Sequence, residues 1–382
     1  MRILEVSRYK NNFADHQLPF VTEQGVAIAK VLCDMHNGEM SRADALNEPN
    51  NNESLTLNEP LRSMSRTDVL NEEPVVDYFL VKGNYVKAVM ALKAKIREFK
   101  PDIVHAHYGL SAITAELQNL VPVVTTFHNG ETLNWHVNLM SSLMSLRAKH
   151  VIYVAQHIRD LSYFKAKNYS IVPCGVPMEQ MVITPKEEAR KQLGWSADTK
   201  YILFGGAFSN ARKNYPLLRD AVSRLNDEMS RADALNEPLT LNDGSEQFGN
   251  IVCVEMKGLS RAECVLRMNA CDLFALPSHS EGSPQALKEA MAVNCPCLAT
   301  DIADVRELFG DEPGHWILRN PRKTHERWDA DEHSLDDMIE LLKEALQYKG
   351  RTKGRERIVK LQLSNEQVAK RIVKIYEGIL NR

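Results

Sequence analysis

Short runs rich in β-branched and aromatic residues alternate with helical patterns along this chain, and the alternation stops and restarts once. RILEV (2–6), VVDYFLV (75–81), DIVHAH (102–107), PVVTTF (122–127), HVIYVA (150–155) and SIVP (170–173) come first. After PCGVP (173–177) come YILFGG (201–206), IVCVEMKG (251–258), CDLFALP (271–277) and CPCLATD (295–301). Strands joined through helices pair in parallel, because a parallel neighbour needs a crossover of a dozen or more residues. The doubled rhythm therefore predicts an α/β fold with two parallel sheets. A chain of 382 residues with 44% hydrophobic content can fill two cores.

Between the second and third runs, Tyr85, Val89, Leu92, Ile96 and Phe99 recur at helical spacing, with Lys87, Lys93, Lys95, Arg97 and Lys100 on the other face. That pattern is a helix covering a sheet with its lysines solvated, in preference to a membrane-docking face. EEARKQLG (187–194) reads as a second helix. The tail SNEQVAKRIVKIYEGILNR (364–382) reads as a capped helix with Val368, Ile372, Ile375 and Ile379 on one face. Nothing sequential is left for that helix to cover, so it is expected to return to the first domain.

Lys plus Arg (47) nearly balance Asp plus Glu (50), which excludes a global pull toward nucleic acid. Seven cysteines without framework spacing fit a reducing compartment, and Cys295 and Cys297 read as core thiols. MRILEVSRYK lacks a signal-peptide apolar region and no run approaches a membrane span, so the expectation is a cytoplasmic protein, peripheral at the inner membrane face at most. MSRADALNEP occurs identically at 40–49 and 229–238, and MSRTDVLNEEP (64–74) resembles both. Each copy interrupts an α/β unit between a helix and the next strand, so these are expected as surface-loop inserts and not as a fold repeat.

HSEGSPQALKEAM (279–291) is the stretch richest in chemistry. A strand ends before it, Pro284 suits the first helical position, and a helix is expected from about Pro284 to Val293. Glu281 then lies in the loop beyond the strand and Glu289 on the helix, while Gly282, Ser283 and Gln285 present amides at the helix's positive end. That end suits a diphosphate, and carboxylates suit the hydroxyls of a sugar or ribose. His105 and His107 share a strand face, but without a third ligand at legible spacing no metal site is expected. Asp329-Ala330-Asp331 sits in a polar loop and is taken as chance.

SEGSPQALKEAMAVNCPCLATDIADVREL (280–308) resembles the E-x7-E donor-site signature of the retaining glycosyltransferases of family 4. SRYKNNFADHQLPFVTEQ (7–24), HAHYG (105–109), VVTTFHNG (123–130), VPCGVP (172–177) and RKNYPLLRDAV (212–222) are similar to other segments of that family. The resemblance implies a GT-B fold, with two facing Rossmann-like domains and a C-terminal helix crossing back to the first. Its boundaries would be 1–177 on the acceptor side with an insert near 37–74, 178–363 on the donor side with an insert near 228–248, and 364–382 as the returning helix. It implies a metal-independent transfer of a sugar from a nucleotide-sugar donor to a glycan, lipid-linked or small-molecule acceptor, with no cofactor.

By the same resemblance, Glu289 binds the ribose and Glu281 sits near the sugar. Gly282, Ser283 and Pro284 shape the sugar-phosphate pocket together with Gly206, Lys213 meets the leaving diphosphate, and His128 lies near the reacting sugar. Asn12, Phe13 and His16 fall on the acceptor side. One position departs from the family: alanine, Ala207, follows Gly206 where an arginine is usual, and Arg212 is the candidate to replace it. The alternatives are a GT-B nucleotide-sugar epimerase and a catalytically idle nucleotide-sugar-binding or scaffold protein.

Overall fold

The computed structural model describes residues 1–8, 19–36, 75–82, 84–230, 239–240, 245–319 and 332–381. It divides into two units. The first comprises Met1–Tyr153, Ser162–Val172 and Glu366–Arg382, and the second Val154–Leu161 and Pro173–Asn365. Relative to a break at 177, the short segment Val154–Leu161 groups with the second unit. The inserted stretch 37–74 and residues 231–238 of the second insert lie outside the described residues, as do Asn12, Phe13, His16 and Asp329–Asp331.

In the first unit the strands are β1 (Ile3–Arg8), β2 (Val76–Val81), β3 (Ile103–His107), β4 (Val123–Phe127), β5 (His150–Tyr153) and β6 (Tyr169–Ile171). They form one parallel sheet in the order β2-β1-β3-β4-β5-β6. The chain leaves β1 toward one side and returns for β3 on the other, so the order reverses between β1 and β3. Such a reversal opens a crevice beyond the strands' carboxyl ends.

The helix Tyr85–Phe99 buries Ala88, Leu92, Ile96 and Phe99, and the Asn84 side chain caps it by accepting from the amides of Val86 and Lys87. The C-terminal helix Asn365–Leu380 buries Val368, Ile372, Val373 and Tyr376 against Ile3, Ile28, Ile103, Val124 and Ile152 of the first unit. Ile375 and Ile379 pack partly against the same cluster. This is the return that its apolar face required.

The second unit contains β7 (Lys200–Phe204), β8 (Leu239–Thr240), β9 (Glu246–Phe248), β10 (Ile251–Glu255), β11 (Leu273–Leu276), β12 (Cys297–Thr300) and β13 (His315–Leu318). Their order is β13-β12-β11-β7-β10-β9-β8. From β13 to β10 every pair is parallel, but β9 runs antiparallel to both β10 and β8. The antiparallel edge corrects the expectation of a purely parallel sheet, and it is built partly from the segment read as a loop insert. The order reverses between β7 and β11. Cys295 and Cys297 lie in the core, where the Cys271 thiol sits 3.4 Å from that of Cys295.

Candidate active site

In the second unit the candidate residues gather beyond the carboxyl ends of β7 and β11. After β7 the backbone passes through Gly205 and Gly206. A Cβ on Gly205 would come within 2.7 Å of Leu276 and Phe274, and one on Gly206 within 3.0 Å of the Lys213 stem. Lys213 therefore lies against bare backbone. A one-turn 3-10 helix, Ala211–Lys213, is capped by the Asn210 side chain and closed by Asn214 in the left-handed region (φ 57°). It turns Lys213 so that its Nζ donates to Glu281 Oε1 at 2.6 Å. Arg212 beside it is exposed, and its carbonyl accepts from the His279 amide at 2.9 Å. Burial lowers the His279 imidazole to about 4, so that ring adds no charge at neutral pH.

The helix Gln285–Ala292 follows, with Pro284 at the cap position, one residue earlier than expected, and no side chain bonding the first-turn amides. Those amides form the positive end of the helix and are available to an anion. Glu289, nearly buried, accepts from Arg261 Nη1 at 2.5 Å. Arg261 opens the helix Arg261–Ala270, whose start is fixed by a capping box between Ser260 and Glu263. The loop is anchored where Ser283 Oγ donates to Asp304 at 2.6 Å. Gln285 Nε2 donates to the Gly175 carbonyl at 2.7 Å, and the buried Lys288 to Cys174 at 2.5 Å. Glu281 and Glu289 are thus each matched with one cation; Gly206 backs the stem of Lys213, and Gly282, Ser283 and Pro284 follow Glu281 in the chain. Arg261 and Asp304 were not foreseen. Ser260-x-x-Glu263 in the sequence was the available signal for Arg261, since it marks a helix start just beyond a strand.

In the first unit three imidazoles gather at β3 and β4 beside the β1–β3 reversal, with His105 and His107 fully buried and His128 partly exposed. Parallel pairing sets Glu5 of β1 opposite His105 of β3. His107 Nε2 lies 2.8 Å from Glu5 Oε2, and His107 Nδ1 lies 3.1 Å from His128 Nε2. His105 is held by Tyr376 Oη at 2.6 Å and Thr126 Oγ1 at 2.7 Å. Burial raises the Glu5 carboxyl, but the two imidazoles outweigh it and hold it at about 2. Burial lowers His107, against the attraction of Glu5. An ionised Glu5 accepts the Nε2 proton of a neutral His107, whose Nδ1 then accepts from His128 Nε2.

His128 stands at the end of β4 with its ring 4.8 Å from Phe20 and 4.7 Å from Tyr108. Its amide and that of Gly109 donate to the buried Glu131 at 3.2 and 2.9 Å, and burial raises Glu131 to about 7. Tyr108 (φ 69°) and Asn129 (φ 97°) both adopt positive φ here, the kind of backbone strain that clusters at functional sites. Among the described residues Glu5, His105 and His107 bring ligand atoms within 4.8 Å of one another, close enough to hold an ion. Every ring nitrogen of that trio already faces a protein partner, so an ion would have to break those bonds.

Two family models match the chain. "Glycosyl transferases group 1" covers residues 185–349 and "Glycosyltransferase Family 4" residues 58–180. The chain is 28% identical over 233 residues to a putative teichuronic acid biosynthesis glycosyltransferase, TuaC, of Bacillus subtilis. It is 22% identical over 276 residues to a D-inositol 3-phosphate glycosyltransferase of Thermobispora bispora. These matches take in 56% and 61% of this chain and span 57% and 64% of the relatives' length. Among solved structures, a sucrose-phosphate synthase from Thermosynechococcus elongatus superposes with a TM-score of 0.67 at 15% identity, over 100% of both chains. Anabaena Alr3699/HepE in complex with UDP superposes with a TM-score of 0.62 at 13% identity, over 99% of this chain and 100% of that one. The two Rossmann-like units are thus those of the GT-B fold, and with the two family models they support a GT-B glycosyltransferase.

Proposed function

We propose that the chain is a retaining glycosyltransferase that moves a sugar from a nucleotide-sugar donor to a glycan or lipid-linked acceptor. The donor would occupy the second unit and the acceptor side would fall to the first. One observation carries this reading: Lys213–Glu281 and Arg261–Glu289 flank the uncapped start of the helix Gln285–Ala292 at the strand reversal. The UDP bound by the Anabaena neighbour and the teichuronic acid biosynthesis named for the Bacillus relative support a uridine diphosphate-linked donor and a polysaccharide acceptor.

Cleaving the glycosyl phosphate bond builds negative charge on the leaving diphosphate. Lys213, Arg212 and the amides of Gly282, Ser283 and Gln285 would meet that charge without a metal ion. Lys213 has three donor protons, so it can hold Glu281 and a phosphate oxygen at once. Glu289 would take the ribose hydroxyls and Glu281 the sugar. The leaving phosphate would help to deprotonate the acceptor on the same face, with no enzyme nucleophile. His128, its tautomer set through His107 and Glu5, would accept at Nδ1 from a hydroxyl of the transferred sugar.

The test is a panel of nucleotide sugars incubated with the protein, with and without excess chelator. Slow donor hydrolysis by one of them, unchanged by chelator, is the expected result. Binding of a nucleoside diphosphate with no turnover of any donor would leave the idle, nucleotide-binding alternative. Loss of turnover with chelator, restored by magnesium or manganese, would remove the metal-independent mechanism.

A further inference from the structure

The helix Trp135–Ser145 of the first unit is inside out. Its buried residues are Asn138, Ser141, Ser142 and Ser145, while Trp135, Met140 and Leu143 are exposed and Leu146, one residue past its end, is half exposed. At 3.6 residues per turn these outward side chains fall within an arc of roughly 140°, opposite the polar set. The reason is steric. The neighbouring helix Gly109–Glu116 meets this one through Gly109, where a Cβ would come within 1.9 Å of the Ser141 hydroxyl. Two helices that approach this closely leave room only for small side chains between them, so the large apolar ones face outward.

The apolar face runs into positive charge. Arg147 and Lys149 follow it and line one hollow with Leu120, and Lys149 and Lys167 line the next. Arg147 donates to Asn119 at 2.8 Å, which ties it to the exposed Leu117 and Leu120. The acidic residue in that hollow is Glu116, which burial raises to about 8 against the pull of Arg147, so it subtracts little from the positive charge at neutral pH. Contiguous exposed apolar side chains mark interaction sites, and an apolar helix face bordered by lysine and arginine matches the boundary of an anionic bilayer. A tryptophan at the rim fits the same boundary. A second copy of the chain fits less well, because two-fold contact would press Arg147 and Lys149 against their own mates.

We propose that the outward face of Trp135–Leu146, with Arg147 and Lys149, docks the protein on an anionic lipid bilayer. The lysine-bearing helix Tyr85–Phe99, weighed above for the same role, exposes Val86 and Met90 as its large apolar side chains beside Lys87 and Arg97, a pair against the row of four on Trp135–Leu146. The docking surface is independent of donor chemistry and stands or falls apart from it.

The full-length chain is sedimented with vesicles of phosphatidylcholine alone and of phosphatidylcholine with phosphatidylglycerol. Binding is expected only to the anionic vesicles and should weaken as salt rises. Leu143→Ser with Leu146→Ser should lower the partition coefficient by about tenfold or more, and Arg147→Gln with Lys149→Gln by a similar factor. Trp135→Ser is a third variant, and circular dichroism melting confirms that each is folded. The proposal is overturned if the anionic vesicles bring down no protein, or if the leucine and tryptophan variants bind as well as the parent. Light scattering that shows a dimer split by the leucine pair, without vesicle binding, would assign the face to a second copy.

Discussion

The two candidate sites are built at the same topological position by opposite means. In the second unit, each glutamate is matched with a cation before any ligand arrives, Glu281 with Lys213 at 2.6 Å and Glu289 with Arg261 at 2.5 Å. In the first unit, the buried carboxylates are met by imidazoles and backbone amides: Glu5 by His105 and His107, Glu131 by Gly109 and His128. Permanent charges suit a permanently anionic donor, because they cost no reorganisation when the diphosphate gains charge. Neutral imidazoles can pass hydrogen bonds to sugar hydroxyls, and the Glu131 carboxyl, raised by burial to about 7, titrates near neutrality beside them. The difference predicts that the second unit sets the size of the rate and the first its pH dependence.

Removing the central cation should have the largest effect. Lys213→Met is expected to lower kcat/KM by about a hundredfold or more, as the loss of one transition-state donor typically does. It should also destabilise the fold by about 3 kcal/mol, because it strands a nearly buried Glu281. Lys213→Met with Glu281→Gln should recover most of that stability and none of the activity. Denaturant unfolding and steady-state kinetics on the single and double variants separate the two losses. Equal instability in both variants would show that the ion pair is not what Lys213 contributes to the fold.

A smaller effect should follow in the first unit. His107→Gln keeps a hydrogen-bonding group but no longer fixes the tautomer of His128. It is expected to lower kcat by about tenfold and to change the shape of the pH–rate profile, with nucleoside diphosphate affinity unchanged. Were the profile of the variant to parallel that of the parent, the Glu5–His107–His128 chain would be structural only.

The smallest effect is on stability. Glu131 is raised from its ordinary 4.5 to about 7, so its stabilising contribution is complete below about pH 4.5 and is lost as pH rises through about 7. Glu116, raised to about 8, adds to the same trend at slightly higher pH. The melting temperature should fall from pH 5 to pH 8, and Glu131→Gln should flatten that slope. A slope unchanged in the variant would contradict the raised carboxyl.

The ends of strands and the helix after Glu281 were legible because the signals are local: a β-rich run, a polar turn, a proline, then an apolar stripe. β13 (HWIL) and the β8–β9 edge (LT, EQF) escaped because they carry few β-branched residues, the mark by which the other short strands were read. The Glu5–His107–His128 chain escaped for a different reason. Its members are brought together by the order β1-β3-β4, and no spacing within the sequence places Glu5 beside His107, 102 residues away. Arg261 belongs to the same class, 28 residues from Glu289 and on another helix. The inverted helix Trp135–Ser145 is the sharpest case. Periodicity assigns its apolar side to the core, and only the close approach of Gly109 to Ser141 turns it outward.

The central claim is that the eight-residue spacing divides the donor between its two carboxylates. Calorimetric titration of a nucleoside diphosphate into Glu289→Gln and Glu281→Gln, paired with transfer kinetics, tests it most directly. The first substitution weakens charge-assisted hydrogen bonds and should raise the dissociation constant about tenfold or more. The second should leave that constant nearly unchanged while lowering kcat and kcat/KM together. An equal loss of nucleotide affinity in both variants would contradict the division.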